Sequence, residues 1–369
     1  MEKRRFHAIP LTPVHIGTGD VMTAEEFYTD RNEMVRFHPG LVLQAMSAPD
    51  RNKYESLIDR GDIGGAWRQM RTAARATPRA RLYSVGMGST AKREMEGILG
   101  KLDKRIGEVR PMPRHPHDGH VVIPGSAIKG AIRTAVLNGY IREDERTRAR
   151  WSDRVRQSDF RDLKRLHGDL EKEVLRGPGG KIDNDPFRLI HVGDSTVAQD
   201  QVRVDRLTLV KPDGDPLNQK GPQMYAERLM SMADGKPPSG FTVEIGIDTR
   251  KARHREVGKL VPRLPDWEFL SRSCNSFFRG RYDAENDKFT NLYGAVPAKW
   301  WKQVEDRDGV LLRIGRFSHF ESLSVDHLRR GENRVTRAPI FGMGSSRTVC
   351  EIEVQNRRAV FGWLALLPQ

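Results

Sequence analysis

The stretch Ile123-Pro124-Gly125-Ser126-Ala127-Ile128-Lys129-Gly130-Ala131-Ile132-Arg133-Thr134 holds the side chains best spaced for chemistry on an anion. Pro124-Gly125 makes a turn, and Ser126 then offers an N-cap hydroxyl to a helix running to about residue 140. Ile128, Ala131, Ile132 and Ala135 give that helix an apolar stripe. Ser126, Lys129 and Arg133 follow i, i+3, i+7 spacing on a different face, and the small Gly130 permits close approach. Free amides, the positive end of a helix dipole and two cations a turn apart suit a phosphate. The same residues also make an ordinary, well-capped amphipathic helix with two exposed cations.

Other clusters are weaker. His115, His117 and His120 fall within six residues, and imidazole is a favoured zinc ligand. No fourth ligand is evident and neither cysteine is near, so this segment reads as a polar loop, and no metal or other cofactor is expected. Asp30 has only Glu33 close in sequence, whereas metal-assisted phosphodiester cleavage needs clustered hard ligands. It reads as a turn aspartate. His15, between Val14 and Ile16 in a glycine loop, has the residue type of an acid–base catalyst, though its neighbours suggest packing or a ligand contact instead. Trp300-Trp301, flanked by Lys299 and Lys302, could stack a base but better suits anchoring a helix.

These residues need elements to hold them. A first strand over 4–11 enters the turn-rich loop Thr12-Pro13-Val14-His15-Ile16-Gly17-Thr18-Gly19-Asp20. A hairpin follows, 27–29 against 34–37, and Pro39-Gly40 opens a helix. Helical spacing over 51–76 puts Arg68, Arg71 and Arg75 on one face. Residues 86–108 read as an excursion, 120–123 as a short strand, and 142–176 as mixed-charge helix ending at Gly177-Pro178-Gly179-Gly180. Strands are expected at 187–192, 202–210, 224–229, 241–247, 310–314, 348–354 and 360–367, with helices at 265–282 and 289–304. The irregular alternation predicts an α+β class rather than a doubly wound parallel sheet. One elaborated domain spans 1–369, with helical insertions at 40–80, 140–180 and 262–305.

Composition narrows the partner. The 369 residues carry 63 Lys+Arg against 49 Asp+Glu, a formal net charge of +14. With 37% hydrophobic residues the chain can bury a core. No uncharged apolar run approaches the ~20 residues of a membrane span, and the N-terminus has no signal-peptide pattern. Two cysteines cannot build a disulfide framework, which suits a reducing cytoplasm. A basic excess favours a polyanion. It is also localised: residues 68–93 hold seven basic and no acidic residues, whereas 142–176 mix eleven basic with nine acidic. Residues 328–347 add five arginines against one glutamate.

The loop Thr12-Pro13-Val14-His15-Ile16-Gly17-Thr18-Gly19, followed about a hundred residues later by Ile-Pro-Gly-Ser-Ala-Ile-Lys-Gly-Ala-Ile-Arg-Thr, resembles the RAMP superfamily of CRISPR-associated proteins. Within its Cas7 group the resemblance is to Csm5-type subunits of type III-A effectors. Val192-Gly193-Asp194-Ser195, Ala226-Glu227-Arg228 with Gly240–Ile245, Arg313–Glu321, Gly344–Thr348 and Phe361-Gly362-Trp363 are similar to later family segments, in the same order.

The resemblance implies a ferredoxin-like (RRM-type) antiparallel-sheet core with helical insertions. It also implies a non-catalytic subunit that caps a Cas7-type filament and binds the 3′ part of the crRNA backbone for RNA-targeting antiviral defence. Expected partners are crRNA, target RNA, a Csm3-type backbone subunit and a Csm2-type small subunit, in a hetero-oligomeric complex without a membrane. By motif match, His15, Gly17 and Gly19 line the first loop, and Ser126, Lys129 and Arg133 face RNA phosphates. Arg316, Gly344, Ser345 and Arg347 form the C-terminal edge of the groove, and the tract of Arg68, Arg71 and Arg75 is expected to add contacts. The strands over 202–247, tipped by 211–220, or else the 86–109 excursion, would supply the family's thumb. The competing expectation is a RAMP endoribonuclease, either processing crRNA precursor with His15 as base and Lys129 or Arg133 on the phosphate, or cleaving target RNA as a backbone subunit.

Overall fold

The structure, a computed structural model, describes all residues except 102–107, 178, 218–222, 254–262, 290–297, 327, 333–335 and 353–356. In chain order the first part comprises β1 (Glu2–Pro10), β2 (Phe27–Asp30), β3 (Glu33–Phe37), α1 (Pro39–Ala45), α2 (Ala48–Asp59), α3 (Ile63–Arg75), β4 (Arg81–Met87), α4 (Ser89–Lys101), β5 (Glu108–Arg110), β6 (Val121–Ile123) and α5 (Gly125–Glu143). Then come α6 (Glu145–Gln157), α7 (Leu163–Arg176), β7 (Ile190–Val192), β8 (Ser195–Val197), β9 (Val202–Val210), β10 (Met224–Leu229), β11 (Phe241–Ile247) and α8 (Thr249–Arg253). The last part holds α9 (Trp267–Lys288), α10 (Ala298–Asp306), β12 (Val310–Arg313), α11 (His319–Ser322), β13 (Gly331–Glu332), β14 (Pro339–Ile340), β15 (Arg347–Ile352), β16 (Arg357–Val360) and β17 (Trp363–Pro368).

Two sheets dominate. The first has strand order β12-β17-β1-β11-β7, with every pairing antiparallel. In β1, Phe6, Ala8 and Pro10 are buried while their neighbours are more exposed, the period of two that a sheet imposes. Phe6 faces Val243 on one side and Pro368 on the other. Helices α5 and α9 pack on each other; α9 lies on β12, and α5 on β7 and β12. Their core includes Ile128, Ile132, Phe277, Phe278 and Trp363, all essentially solvent-free. The long helix within 262–305 therefore belongs to the main core instead of standing off it.

The second sheet runs β16-β15-β9-β4-β3-β2, and β10 pairs with β9 and β5. The expected 27–37 hairpin closes in register from Phe27↔Arg36 to Asp30↔Glu33. The 202–247 stretch is not one protruding hairpin. β9 and β10 pair from Met224↔Leu207 to Leu229↔Val202, but β9 is also paired with β4 and β15, and β11 lies in the first sheet. Part of the expected tip, 218–222, lies outside the described residues. Of the 86–109 excursion, residues 102–107 lie outside the described ones; the rest is the end of β4, the helix α4, which packs on β9, and the start of β5.

Several boundaries differ from expectation, among them the strand expected at 360–367, which breaks at Phe361-Gly362 into β16 and β17. The strand expected at 187–192 shrinks to Ile190–Val192, because Asp185 accepts a hydrogen bond from the Phe187 amide and starts a 3-10 turn at Pro186. Helix α9 continues six residues past 282. Of the helix expected at 289–304, residues 290–297 lie outside the described ones, and α10 starts at 298. Among the described residues no helix is long and apolar enough to cross a membrane.

Candidate nucleic-acid interface

The loop after β1 is clasped where the two sheets meet. Pro13 O accepts from the Gly362 amide at 2.8 Å, and the Trp363 amide donates to Thr12 Oγ1 at 3.0 Å. Leu229, at the end of β10, donates its amide to Val14 O at 2.8 Å. The Arg316 amide donates to His15 O at 3.0 Å. Two glycines make the clasp sterically feasible. Gly315 has φ +91°, and a methyl group there would stand 2.5 Å from His15 O; Gly362 has φ +103° and a methyl there would stand 2.6 Å from Ile314 O.

His15 itself is inside this joint, 1% exposed. Its Nδ1–H donates to Glu227 O at 2.7 Å, and its ring stacks on Phe317 with centroids 5.5 Å apart. Burial pushes its pKa down to about 4, with Arg316 and Arg110 adding to the fall and the Glu227 carbonyl opposing it. The imidazole is therefore neutral at pH 7, and its buried position keeps it from a ribose hydroxyl. Above it the loop surfaces: Gly17 is half-buried, while Thr18, Gly19 and Arg316 are exposed. A methyl at Gly17 would lie 3.5 Å from Arg316 Cδ, so the Arg316 side chain lies across the glycine. Among the described residues, the Gly17 and Gly19 amides donate to no protein acceptor, and Arg316 makes no ion pair. A free guanidinium beside free amides is a phosphate-binding arrangement.

The rim stands on a buried ion network. Glu285 of α9 bonds Arg347, lies 2.9 Å from Arg313 Nη1 and accepts from Trp363 Nε1 at 2.9 Å. Arg347 also bonds Glu321. All four charged residues are at most 1% exposed. Burial pushes the Glu285 carboxyl up, but Arg313 and Arg347 outweigh it and hold the group below the usual carboxylate range. Arg347, expected at the groove edge, is thus a support whose guanidinium is spent on carboxylates. Gly344 and Ser345 precede it in a loop pinned by Lys288 Nζ, which donates to Met343 O at 3.1 Å; Ser345 is exposed.

The start of α5 is organised differently from expectation. Pro124 occupies the N-cap position and Ser126 makes no cap bond. The Gly125 amide donates instead to Asp194 Oδ1 at 2.7 Å, so a carboxylate from the Gly193-Asp194-Ser195 turn already sits at the helix start. A side chain at Gly125 would collide with Val192 O, at 2.2 Å. Arg133 is bound to Glu171 (2.7 Å) and to both oxygens of Asp185 (2.9 and 2.7 Å), with its guanidinium over the Phe187 ring. Lys129 is half-buried; burial and then Arg133 lower its pKa, while Asp185 pulls it up. Ser126 is exposed.

In α3, Arg68 and Arg75 are exposed, whereas Arg71 is buried and donates to Ala24 O at 3.0 Å and Leu99 O at 3.2 Å. The three share one flank of the helix, but Arg71 ties it to the loop before β2 and to α4. Asp30 is exposed at the hairpin end. Asp118 lies 3.4 Å from His115 Nδ1 and 3.3 Å from His120 Nδ1, ordering the histidine loop. The side chains of Trp300 and Trp301 lie outside the described residues.

Sequence reasoning missed the groups that do the positioning. Glu227, wholly buried, accepts from Tyr83 Oη (2.8 Å), the Met112 amide (3.0 Å) and Arg114 Nη2 (3.0 Å). Arg228 beside it pairs with Asp205 and Asp234, each at 2.6 Å. A signal was available: charged residues interrupting apolar strands, as in Tyr225-Ala226-Glu227-Arg228-Leu229 and Leu311-Leu312-Arg313, must find partners when buried.

Comparison with known proteins adds to this geometry. The model of the RAMP superfamily matches residues 9–314. The "CRISPR system Cms protein Csm5" of Streptococcus thermophilus is 24% identical over 358 residues, covering 91% of this chain and 88% of that protein. The protein of the same name from Mycobacterium tuberculosis strain H37Rv is 24% identical over 228 residues, 56% of this chain and 60% of its own. Among solved structures, a chain in a cryo-EM structure of a type III-A Csm–crRNA–target RNA ternary complex is similar with TM-score 0.68 and 18% identity, covering 99% of this chain and 100% of that one. The crystal structure of T. onnurineus Csm5 is similar with TM-score 0.57 and 20% identity, covering 98% and 99%.

Proposed function

The chain belongs to the RAMP superfamily, and on that premise we propose that it is a Csm5-type subunit of a type III-A RNA-guided effector complex. It caps a Cas7-type filament and holds the 3′ part of the crRNA backbone. Its partners are crRNA, target RNA, a Csm3-type backbone subunit and a Csm2-type small subunit. The first sheet supports a ferredoxin-like reading: β1, α5, β7, β11, α9 and β12 follow one another in a βαββαβ series, with β17 inserted between β12 and β1.

One observation carries the reading: Arg316 lies across Gly17 on a rim whose Gly17 and Gly19 amides have no acceptor among the described residues. Such a rim takes a phosphate without reading the base, so guides of any sequence fit and base pairing supplies the specificity. Of the expected contacts, Gly17, Gly19 and Arg316 form this rim, while Ser345, Ser126, Lys129, Arg68 and Arg75 would each meet the RNA backbone from their own elements. Gly344 shapes the loop, while His15, Arg71, Arg133 and Arg347 act as supports. The role is scaffolding rather than cleavage, because His15 is held inside the joint.

Labelled crRNA binding tests this. Arg316→Ala is expected to weaken binding about equally for unrelated guide sequences and to reduce the salt slope by ~0.7, one phosphate contact on a single strand. A change in sequence preference instead would overturn the phosphate assignment. Precursor RNA incubated with the chain, with and without divalent metal, should be bound and left intact; cleavage that disappears in His15→Ala would establish the endoribonuclease reading.

A further inference from the structure

Away from the rim, α6 faces Arg329 and Phe341 across a cleft of about 750 Å³ lined by Arg148, Ala149, Ser152, Arg156, Arg329 and Phe341. Among the described residues no carboxylate lines it. Arg148, Ser152 and Arg156 are spaced i, i+4, i+8 and form one stripe, each step rising about 6 Å along the helix. The opposite stripe of α6 is committed elsewhere: Trp151 and Val155 are buried, Arg150 pairs with Glu173, and Arg154 lies over the Trp151 ring at 4.2 Å.

The two cations of the cleft stripe are available. Among the described residues Arg156 is exposed and has no carboxylate partner. Arg148 pairs at 3.2 Å with Glu145, whose side chain is 85% exposed, and such surface pairs hold their partners weakly. The far wall is fixed. Arg330 Nη1 donates to the carbonyls of Val155 (3.0 Å), Arg156 (3.2 Å) and Ser158 (2.5 Å), closing the C-terminal end of α6. Arg329 bonds Ser324 Oγ, Glu321 O and Asp326, so its charge is already used. Phe341 is 53% exposed, a flat apolar face in water beside guanidinium groups.

We infer that this cleft is a second binding site for single-stranded RNA, with Arg148 and Arg156 on phosphates and Phe341 stacked on an unpaired base. Cations tracking a backbone beside an aromatic platform are the combination that single strands require, and it tolerates any sequence. An acidic peptide would also meet the arginines but has no flat ring for Phe341. The site goes beyond the Arg316 rim and stands whether or not that rim binds RNA.

The test uses the full chain with labelled ten-nucleotide oligouridylate, oligoadenylate and an RNA duplex of equal length. Arg148→Ser with Arg156→Ser is expected to weaken single-strand binding about ten-fold and to lower the salt slope by ~1.4, two phosphates' worth. Phe341→Ala is expected to weaken it about ten-fold with the slope unchanged, Phe341→Tyr to restore it, and the duplex to ignore both. Single-strand affinity unchanged in both sets of variants overturns the inference. So does an equal loss for duplex and single strand in Phe341→Ala, or a loss confined to an oligoglutamate peptide. Arg316→Ala run alongside separates the two sites: if only it loses RNA, the cleft fails and the rim stands, and the reverse result leaves the cleft and removes the rim. All the substituted positions reach solvent, and a thermal melt matching the parent's confirms folding.

Discussion

The loop rim after β1 and the start of α5 contain the same ingredients: a glycine that lets backbones approach, nearby cations and helix or loop amides. They use them in opposite ways. At the rim the carboxylates lie underneath, where Glu285 and Glu321 occupy Arg313 and Arg347, and Arg316 is left exposed beside Gly17. At α5 the carboxylates lie at the surface group itself: Asp194 takes the Gly125 amide, and Glu171 with Asp185 takes Arg133. A cation motif stays available to a phosphate only where acidic residues remote in sequence leave it unclaimed.

The strongest way to break this contrast is Glu285→Gln. It leaves two buried arginines short of a negative charge, and the expected cost is about 3–5 kcal/mol in urea unfolding. A cost like that of an exposed pair would mean the rim does not depend on the network beneath it.

Next in size is Asp185→Asn, expected to cost about 1.5–3 kcal/mol because Arg133 and Arg176 both lose a charged acceptor. Burial raises the Asp185 carboxyl, but Arg133, the Phe187 amide and Arg176 outweigh it and hold the group below its ordinary value. A depressed carboxyl stabilises the fold above about pH 4, and this contribution fades as pH falls through the lowered folded-state pKa. The gap between parent and variant should therefore be full at pH 7 and close in stronger acid; a gap independent of pH would show that the pair is not what stabilises this end of α5. Arg133→Ala should lower stability while leaving RNA affinity unchanged.

The smallest effects sharpen the helix start. Asp194→Ala is expected to cost about 1 kcal/mol, as for a lost N-cap, whereas Ser126→Ala stays within ~0.5 kcal/mol. Equal losses would return the capping role to Ser126.

Much of the fold was legible in the chain itself. The 27–37 hairpin, β9, β10 and β11 declare themselves by alternation and by turn residues, and α5 by its apolar stripe. Ser126 has the right local chemistry for the helix cap, while the actual acceptor, Asp194, lies 69 residues from the Gly125 amide it binds. Arg71, Arg133 and Arg347 depart from expectation for the same reason: spacing identifies a face, but only tertiary contacts decide whether that face meets water, a carbonyl or a carboxylate. Exposed Arg316 and the glycines around it were accessible to motif reading because a loop requirement is local.

The clasp between the first loop and the β17 region also sets an order of events. Thr12 and the Trp363 amide, which meet at 3.0 Å, are 351 residues apart, and β1 pairs with β17 over Phe6–Pro10. On a ribosome, β1 emerges first yet cannot complete its sheet until residues 363–368 have been made, and pairings of such sequence separation close slowly. Neither His15 nor Arg316 has its final surroundings on a partial chain. The rim proposed to hold a guide is thereby assembled only after residues 363–368 have been made, and a chain interrupted before them lacks it.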